Sequence, residues 1–313
     1  MNFAPIIIPT LCRDIHLKRC IDSLKKCRYS EETELIIGLD HPKEEKHQSG
    51  YNNICQYLEA LKGFKKITII KHQKNIGASE NIRYLQDIAY QKYDRLIFTE
   101  DDNEFSPCFL EYMNHLLEIY KDNIQILSIS GYTNESMYNL TSSNIFPTIE
   151  VSSWGIGLWK NKSLHIKADY YIETKKILQS YRKSWKLYRY YPASFAMLIR
   201  MTKEKKVYGD VIRTMYNILN NTREIRPSIS LVRNWGHDGS GLHCTQIEQS
   251  FSQQKILTEE SFDLDSTQTI LSNFNNKKIR TKIFYNNLPK AKVKAWLFIF
   301  RIGMSYLKYR LLY

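Results

Sequence analysis

The sequence is poor in glycine and proline, with 12 and 8 of these residues among 313. It also has no low-complexity tract and no repeat with a period of roughly 20 to 50 residues. A solenoid of stacked repeats is therefore excluded. Because 43% of the residues are hydrophobic, a wholly disordered chain is excluded as well. The length is sufficient for one large domain or two closely packed halves.

Cysteine pairs of the kind that bind zinc are also missing. None of the six cysteines stands in a CxxC pair or at a zinc spacing, and several fall in apolar periodic segments: Cys12, Cys20, Cys27, Cys55, Cys108 and Cys244. They predict reduced thiols in a cytosolic protein. The apolar run from Ile6 to Ile8 follows the first residues without a basic leader, so no export signal is expected.

Acidic residues are missing from the last part of the chain. Ten Lys or Arg and no Asp or Glu lie between Lys277 and Tyr313. This segment therefore carries most of the formal charge of +13, and positive and negative charges are nearly balanced in the rest of the chain. The apolar stretch from Ala295 to Phe300 is far shorter than the ~20 residues that span a bilayer. Cationic, aromatic and aliphatic residues alternate around it, which favours an interfacial helix on an anionic membrane surface. The alternatives are a solvated tail and a tail that packs on the main domain.

Nucleic acid is a second conceivable partner of such a basic tail, through contacts with phosphate groups. The chain contains no segment that resembles a recognition helix or an RNA-binding sheet signature. No nucleic-acid partner is therefore expected.

Short apolar runs alternate with helical apolar stripes in the first half of the chain. Strands are predicted at Ile6–Ile8, Leu35–Asp40, Ile67–Ile70, Leu96–Thr99 and Ile126–Ile129. Helices are predicted between them, one after an Asp14 N-cap and another after Ser106 and Pro107 as N-cap and first residue. This alternation predicts an α/β fold with a mostly parallel sheet flanked by helices.

Charged side chains occur where the predicted strands end. Arg13, Asp40 and an acidic triplet, formed by Glu100, Asp101 and Asp102, each follow a strand, and ligands of such sheets bind beyond the carboxyl ends of the strands. Three adjacent carboxylates need a compensating cation or strong hydrogen-bond donors, and oxygen ligands favour Mn²⁺ or Mg²⁺ among metal ions. In an extended strand Glu100 and Asp102 share one side, so at most two of the three easily face a single ion. The alternative is that these are solvated turn residues before the next helix.

The sequence around the acidic triplet resembles a known family. The segment from Phe98 to Tyr112, FTEDDNEFSPCFLEY, resembles the metal-binding segment of the N-acetylglucosaminyltransferase I family, an inverting glycosyltransferase family of the GT-A type. It is also similar to bacterial enzymes that assemble surface polysaccharides. The segment from Leu11 to Cys20 resembles the family's first strand-to-helix loop. Two acceptor-side segments, Tyr208 to Arg213 and Arg226 to Ser230, agree in order, and the likeness extends over about residues 4 to 245.

The resemblance implies a GT-A (Rossmann-like) fold with a nucleotide-sugar-binding half at residues 1–103, an acceptor-binding half at 104–265 and the basic tail at 266–313. It implies a UDP-sugar donor, UDP-GlcNAc in the family, and an Mn²⁺ or Mg²⁺ cofactor with Asp102 as its direct ligand. A metal ion that bridges the two donor phosphates acts as the Lewis acid for the leaving nucleotide.

Contacts to the nucleotide sugar are implied for several residues. Glu100 and Asp101 would lie close to it, with Thr10 and Arg13 in the first loop and Asp40 at the uracil-contacting position. The alternative for Asp40 is an Asp that opens a turn. The family's basic residue occurs one place after Arg13, where this chain has an Asp.

A further donor-side segment is similar to one found in the bacterial relatives. Ser152 to Gly155 resembles their segment near the donor sugar, which implies that Trp154 and Gly155 contact the nucleotide sugar. The Trp154 indole would stack on a sugar face, or alternatively pack in the core with Trp159.

Asp210 matches the family's general base, which takes the proton from the acceptor hydroxyl. The alternative is that Asp210 is a helix N-cap. The family's preceding Asp is replaced by Gly209, so the acceptor pocket is expected to differ. Asp238, in a glycine-rich loop from Asn234 to Gly241, is the rival base, and a plain hairpin turn is its alternative. His243 is a candidate further metal ligand.

These features together predict a metal-dependent, inverting glycosyltransferase. It would move a sugar to a hydroxyl of a glycan or lipid-linked saccharide acceptor in bacterial surface polysaccharide synthesis, on the cytoplasmic face of the cell membrane. A sugar-1-phosphate nucleotidyltransferase is the nearest alternative, but the first loop from Pro9 to Arg13 lacks the glycines that let a backbone approach a triphosphate. A non-catalytic membrane or nucleic-acid binding protein is the third possibility, and it leaves the acidic triplet unexplained.

Overall fold

The computed structural model describes residues 2–138, 140, 143–164, 170–205, 208–240, 248–263, 277–286, 288 and 292–312. Its strands are β1 (Ile6–Thr10), β2 (Glu34–Leu39), β3 (Lys66–Lys71), β4 (Arg95–Phe98), β5 (Asn103–Phe105), β6 (Ile126–Ser130), β7 (Ile145–Thr148), β8 (Ile156–Trp159), β9 (Arg223–Pro227) and β10 (Val232–Asn234).

The helices lie between these strands and after them. They are α1 (Asp14–Lys25), α2 (Gln48–Glu59), α3 (Ala78–Lys92), α4 (Phe109–Ile119), α5 (Lys160–Leu164), α6 (Tyr170–Gln179), α7 (Tyr181–Tyr190), α8 (Pro192–Glu204), α9 (Gly209–Asn220), α10 (Lys277–Asn286) and α11 (Lys292–Leu312). Two single 3₁₀ turns, at Glu45–His47 and Glu135–Met137, complete the described elements.

The strands form one eight-stranded mixed sheet and one small pair. The order in the large sheet is β3-β2-β1-β4-β8-β6-β9-β7, and the pair is β10-β5. Strand pairing is parallel from β3 to β4 and between β6 and β9, whereas β8 runs antiparallel to both β4 and β6, and β7 runs antiparallel to β9. The predicted α/β class, a mostly parallel sheet flanked by helices, is confirmed.

The five predicted strands all occur, because strands buried on both faces of a parallel sheet leave continuous apolar runs in the sequence. The two predicted helix starts are wrong in detail. Helix α4 begins at Phe109, since Pro107 and Cys108 form a separate turn in which the Phe109 N–H donates to the Ser106 carbonyl. Asp14 is the first residue of α1, after Arg13, and not its cap.

A second apolar core lies at the β7 edge of the sheet. It is built by α7, α8, α9 and α11, and three side chains of α11 are buried in it: Ile302, Tyr306 and Tyr309. One face of α11 therefore packs on the main domain, which is one of the alternatives that the sequence left open for the basic tail. The division into three domains at residues 103 and 265 stays a prediction.

The structure bears on the cysteines and on the length of the apolar helices in the described part of the chain. Cys12, Cys20, Cys27, Cys55 and Cys108 are free thiols, and three of them are buried. Cys244 lies outside the described residues. Within the described ranges no helix combines the length and the apolar character that a membrane crossing requires.

Candidate functional site

The acidic triplet lies at the carboxyl end of β4, beside the end of β1. Its position is fixed by the small antiparallel pair, in which Asn103 of β5 is opposite Asn234 of β10. The Trp235 N–H also donates to the Asp102 carbonyl at 2.8 Å. The strand pair therefore places the loop after β10 directly against the carboxylates.

Arg13 bridges two of the three carboxylates. Its guanidinium pairs with Asp101 and, from Nη1, with Asp102 Oδ2 at 2.9 Å. Thr10 Oγ1 donates to the other oxygen of Asp101 at 2.8 Å. Burial disfavours the charge on Arg13, but the two carboxylates outweigh burial and raise the pKa of Arg13 above its ordinary value. Thr10, Arg13, Asp101 and Asp102 thus form one connected cluster, and their contact with a nucleotide sugar stays a prediction.

Asp102 is enclosed by the loop after β10. Asn234 Nδ2 donates to Asp102 Oδ1 at 2.7 Å, and the Gly236 N–H donates to Asn234 Oδ1 at 2.9 Å. A Cβ atom built on Gly236 would stand 2.0 Å from Asp102 Oδ2. Only glycine therefore fits at position 236 while the Asp102 carboxylate keeps its place.

Gly236→Ala is expected to displace the Asp102 carboxylate or the loop, and to lower the free energy of unfolding by about 1–3 kcal/mol, as overpacking does. Chemical denaturation measures this effect. Gly303→Ala is the matched control, because a Cβ at Gly303 meets its nearest neighbour at 3.6 Å, which is ordinary contact. An equal loss in both variants would contradict the close approach.

The residues around the triplet do not form a ready metal site. Carboxylate oxygens suit Mn²⁺ or Mg²⁺ chemically, but no group of three His, Cys, Asp or Glu side chains among the described residues is placed to hold an ion. The Asp101 and Asp102 oxygens already accept from Arg13, Thr10 and Asn234. The donor set as arranged therefore fits a guanidinium, and His243 lies outside the described residues.

Glu100 connects the triplet with the acceptor side. Glu100 keeps some accessible surface, yet burial by the surrounding protein, together with the charges of Asp102 and Asp210, raises the pKa of Glu100 to about 8. Helix α9 therefore places Asp210 near enough to the triplet for its charge to act on Glu100.

Asp210 is the second residue of α9, whose cap position is Tyr208, so the N-cap alternative for Asp210 is wrong. Asp210 is exposed as a whole residue, yet desolvation by the surrounding protein raises the pKa of its carboxyl. One turn further along α9, Arg213 Nε is buried and lacks a hydrogen-bond partner within the described residues.

Asp238 lies on the α1 side of the site. Its Oδ2 is 3.1 Å from His16 Nε2, and its Oδ1 accepts from the N–H and the hydroxyl of Ser240. Partial burial would raise the pKa of Asp238, but the Ser240 hydrogen bonds and His16 lower it below its ordinary value. Gly239 has a φ of 88°, which fits a turn, although the residues that would complete a hairpin are outside the described part.

Asp40 holds backbone in place. Its buried carboxylate accepts the N–H groups of His41, Ile76 and Gly77 at 2.8–2.9 Å, which fixes the loop before α3. These backbone contacts agree with the alternative interpretation, in which Asp40 stabilises a turn. The uracil contact stays a prediction.

Trp154 and Gly155 lie in the turn before β8. The Trp154 ring contacts Tyr132, His237 and Phe251, whereas the Trp159 indole donates to the Leu117 carbonyl elsewhere in the core. Trp154 packs against the same apolar core that contains Trp159, as the core-packing alternative predicts, although the two rings have different neighbours. Gly155 has a φ of 66° and packs closely against Phe105 and Phe109.

A buried ionic network was missed by the sequence reasoning. Arg226 pairs with Glu224 at 2.9 Å and with Glu150 at 3.1 Å, and the Tyr191 hydroxyl donates to Glu150 at 2.6 Å. Burial raises the pKa of Glu224 to about 7 despite the opposing charge of Arg226. The charge of Glu150 also raises the pKa of Asp210. Only Arg226 had a signal, in the acceptor-side resemblance, because ion pairs between distant segments leave no local pattern.

No family model and no curated protein matches the chain. Among solved structures, it is similar to the mannosyltransferase PcManGT from Pyrobaculum calidifontis in complex with GDP-Man and Mn²⁺, with a TM-score of 0.39, 9% identity and coverage of 69% of both chains. It is also similar to residues 1–349 of S. aureus TarS, with a TM-score of 0.45, 15% identity and coverage of 98% of this chain and 80% of that one.

Mouse xyloside xylosyltransferase 1 in its apo form is a further structure of this kind, with a TM-score of 0.38, 12% identity and coverage of 71% and 83%. All three likenesses are distant. The class that the fold defines is an α/β protein with a mixed sheet that carries Arg13 and its paired carboxylates at the strand ends. The resemblance to the N-acetylglucosaminyltransferase I family stays a prediction.

Proposed function

We propose that this protein is a GT-A glycosyltransferase that moves a sugar from a nucleotide diphosphate sugar, a UDP-sugar by resemblance, to a hydroxyl of a glycan or lipid-linked acceptor. One observation carries the proposal. Arg13 bridges Asp101 and Asp102 at the carboxyl end of the sheet, and Asp210, whose pKa is raised, lies near enough to Glu100 of the same triplet for the two charges to interact. This arrangement supports donor binding at Arg13 and acceptor activation at Asp210.

The donor side supplies positive charge for the diphosphate. Arg13 lies at the carboxyl end of β1, where ligands of such sheets bind, and its planar guanidinium suits bidentate contact with phosphate oxygens. If the chain uses Mn²⁺ or Mg²⁺, Asp102 is the proposed ligand, and the ion would supply further charge stabilisation of the leaving nucleotide. Arg13 would then have to release Asp102.

The acceptor side supplies the base. In inverting transfer the acceptor oxygen forms a bond to the anomeric carbon, the bond from that carbon to the diphosphate breaks, and the hydroxyl proton passes to a carboxylate. Asp210 supports this role better than Asp238, because desolvation raises the pKa of Asp210 whereas Ser240 and His16 lower the pKa of Asp238. A carboxylate with the higher pKa is the stronger base.

The experiment is an assay of the purified chain with a panel of nucleotide sugars, with and without Mn²⁺. We expect release of nucleoside diphosphate from at least one UDP-sugar, and faster release when a saccharide acceptor is added. Release of pyrophosphate from a nucleoside triphosphate and a sugar-1-phosphate would instead indicate a nucleotidyltransferase. No turnover of any donor, in any metal, would contradict the proposal.

The setting proposed for this reaction is bacterial surface polysaccharide synthesis at the inner face of the cell membrane. It is supported by the resemblance and by the basic residues after Lys277, which favour contact with an anionic surface. The donor sugar and the acceptor would emerge from the same panel.

A further inference from the structure

Helix α11 has two apolar faces on opposite sides. One face, with Ile302, Tyr306 and Tyr309, is buried against the second core. The other is a stripe of seven exposed residues that fall within roughly 100° of the helix circumference at 3.6 residues per turn. These residues are Val293, Trp296, Leu297, Phe300, Met304, Leu307 and Leu311.

The exposed stripe is not explained by the fold. Trp296 is 72% exposed and Phe300 65% exposed, although the opposite face already holds the helix on the domain. Single exposed apolar residues are normal on protein surfaces, but a continuous apolar stripe of several large side chains marks an interaction site.

Helix α7 extends this surface. Trp185 is 61% exposed and lies beside Tyr188, whose hydroxyl donates to the Ile299 carbonyl of α11 at 3.0 Å. Between the two helices runs an open groove of about 330 Å³, in the size range of small-ligand pockets. Its lining is almost wholly apolar and aromatic: Tyr181, Ser184, Trp185, Tyr188, Phe195, Phe300, Gly303, Met304, Tyr306 and Leu307.

Both helices carry positive charge and no negative charge. Helix α7 contains Arg182, Lys183, Lys186 and Arg189. Helix α11 contains Lys292, Lys294, Arg301, Lys308 and Arg310. On α11 the cations stand on both flanks between the exposed and the buried apolar faces, as expected from 3.6 residues per turn.

We propose that α7 and α11 form a docking surface for an anionic lipid bilayer, with the apolar stripe inserted among acyl chains and one lipid chain lying in the groove. Apolar side chains with flanking cations match the two layers of such a surface, acyl chains below and anionic headgroups above. The absence of acidic residues on both helices gives the charge complementarity that a second protein copy, with the same positive face, would lack. This docking surface deepens the membrane setting of the proposed function but does not depend on sugar transfer itself, so loss of vesicle binding and loss of nucleotide-sugar turnover are distinguishable outcomes.

The test is co-sedimentation of the full chain with vesicles of phosphatidylglycerol and phosphatidylethanolamine, compared with vesicles of phosphatidylcholine alone. We expect binding to the anionic vesicles that weakens as salt is added. The double variant Trp296→Ser with Phe300→Ser should lower the partition constant at least about tenfold, since burying each large apolar side chain contributes more than that factor. The matched control is Ile119→Ser with Ile124→Ser, which removes exposed apolar residues outside this surface and should leave binding unchanged.

Brominated acyl chains test the contribution of α7. They should quench tryptophan fluorescence of the bound protein, and Trp185→Phe should keep vesicle binding while losing part of that quenching. Unchanged quenching in Trp185→Phe would remove α7 and the groove from the surface. Equal vesicle binding by the Trp296→Ser, Phe300→Ser variant and the wild type would overturn the proposal, as would a stable dimer that the same variant dissociates and that binds no vesicles.

Discussion

Asp210→Asn is expected to lower kcat by about 10²- to 10⁴-fold, the usual contribution of a positioned general base, with little change in nucleotide binding. The amide has nearly the shape of the carboxylate but cannot accept the proton of the acceptor hydroxyl. The contacts of Arg13 with Asp101 and Asp102 do not involve Asp210, so the donor-side cation should be kept. Steady-state assays with the donor identified by the panel measure kcat, and titration calorimetry measures nucleotide binding.

The pH profile gives an independent readout of the same residue. A base works in its deprotonated form, so kcat/KM should fall as the pH drops through the pKa of Asp210, which burial places above the ordinary Asp range. Asp238→Asn is the matched control and should keep both the rate and the profile, because Asp238 pairs with His16 and Ser240 on the other side of the site. Full transfer by Asp210→Asn would remove this residue as the base.

The sheet was predictable because its signal is local. Strands such as β1 and β4 are buried throughout, which leaves runs of Ile, Leu and Phe in the sequence, and α1 shows its buried face at helical spacing. The location of the triplet followed directly, since residues after parallel strands meet at one edge of the sheet. Helix starts were less predictable, because a turn such as that at Pro107 and Cys108 has the same local residue preferences as the first turn of a helix.

The inner arrangement of the site was not predictable for the same reason. Asn234 donates to Asp102 across 132 residues, and Arg13 reaches Asp101 across 88. Spacing in one sequence cannot show which of two partners, a guanidinium or a metal ion, compensates adjacent carboxylates. Nor can it show that Gly236 is required because its Cα lies against a carboxylate.

The last helix was predictable in part. The charge pattern indicated a surface that binds anions. Ile302, Tyr306 and Tyr309 are also at helical spacing, and they form a second apolar face, which is buried. A helix with two apolar faces looks uniformly apolar and aromatic in sequence, so the buried face and the exposed face are separated only once the helix is seen against α8.

Arg13→Met is expected to lower the free energy of unfolding by about 3–5 kcal/mol in metal-free buffer, because removing one partner leaves Asp101 and Asp102 buried without a countercharge. Arg13→Lys should lose less, since an ammonium group keeps the charge but cannot serve both carboxylates with a planar fork. Urea denaturation of the three proteins, with EDTA present, gives the comparison.

Adding Mn²⁺ to Arg13→Met then tests the predicted metal ligand without any assay of activity. If Asp102 can hold the ion once the guanidinium is gone, Mn²⁺ at about a hundred times its dissociation constant should restore about 2.7 kcal/mol. The wild type should gain less, because Arg13 competes for the same oxygens. The double variant Arg13→Met with Asp102→Asn should gain nothing. If Mn²⁺ stabilises none of these proteins, the predicted role of Asp102 as a metal ligand is wrong, and Arg13 is left as the cation that faces the donor diphosphate.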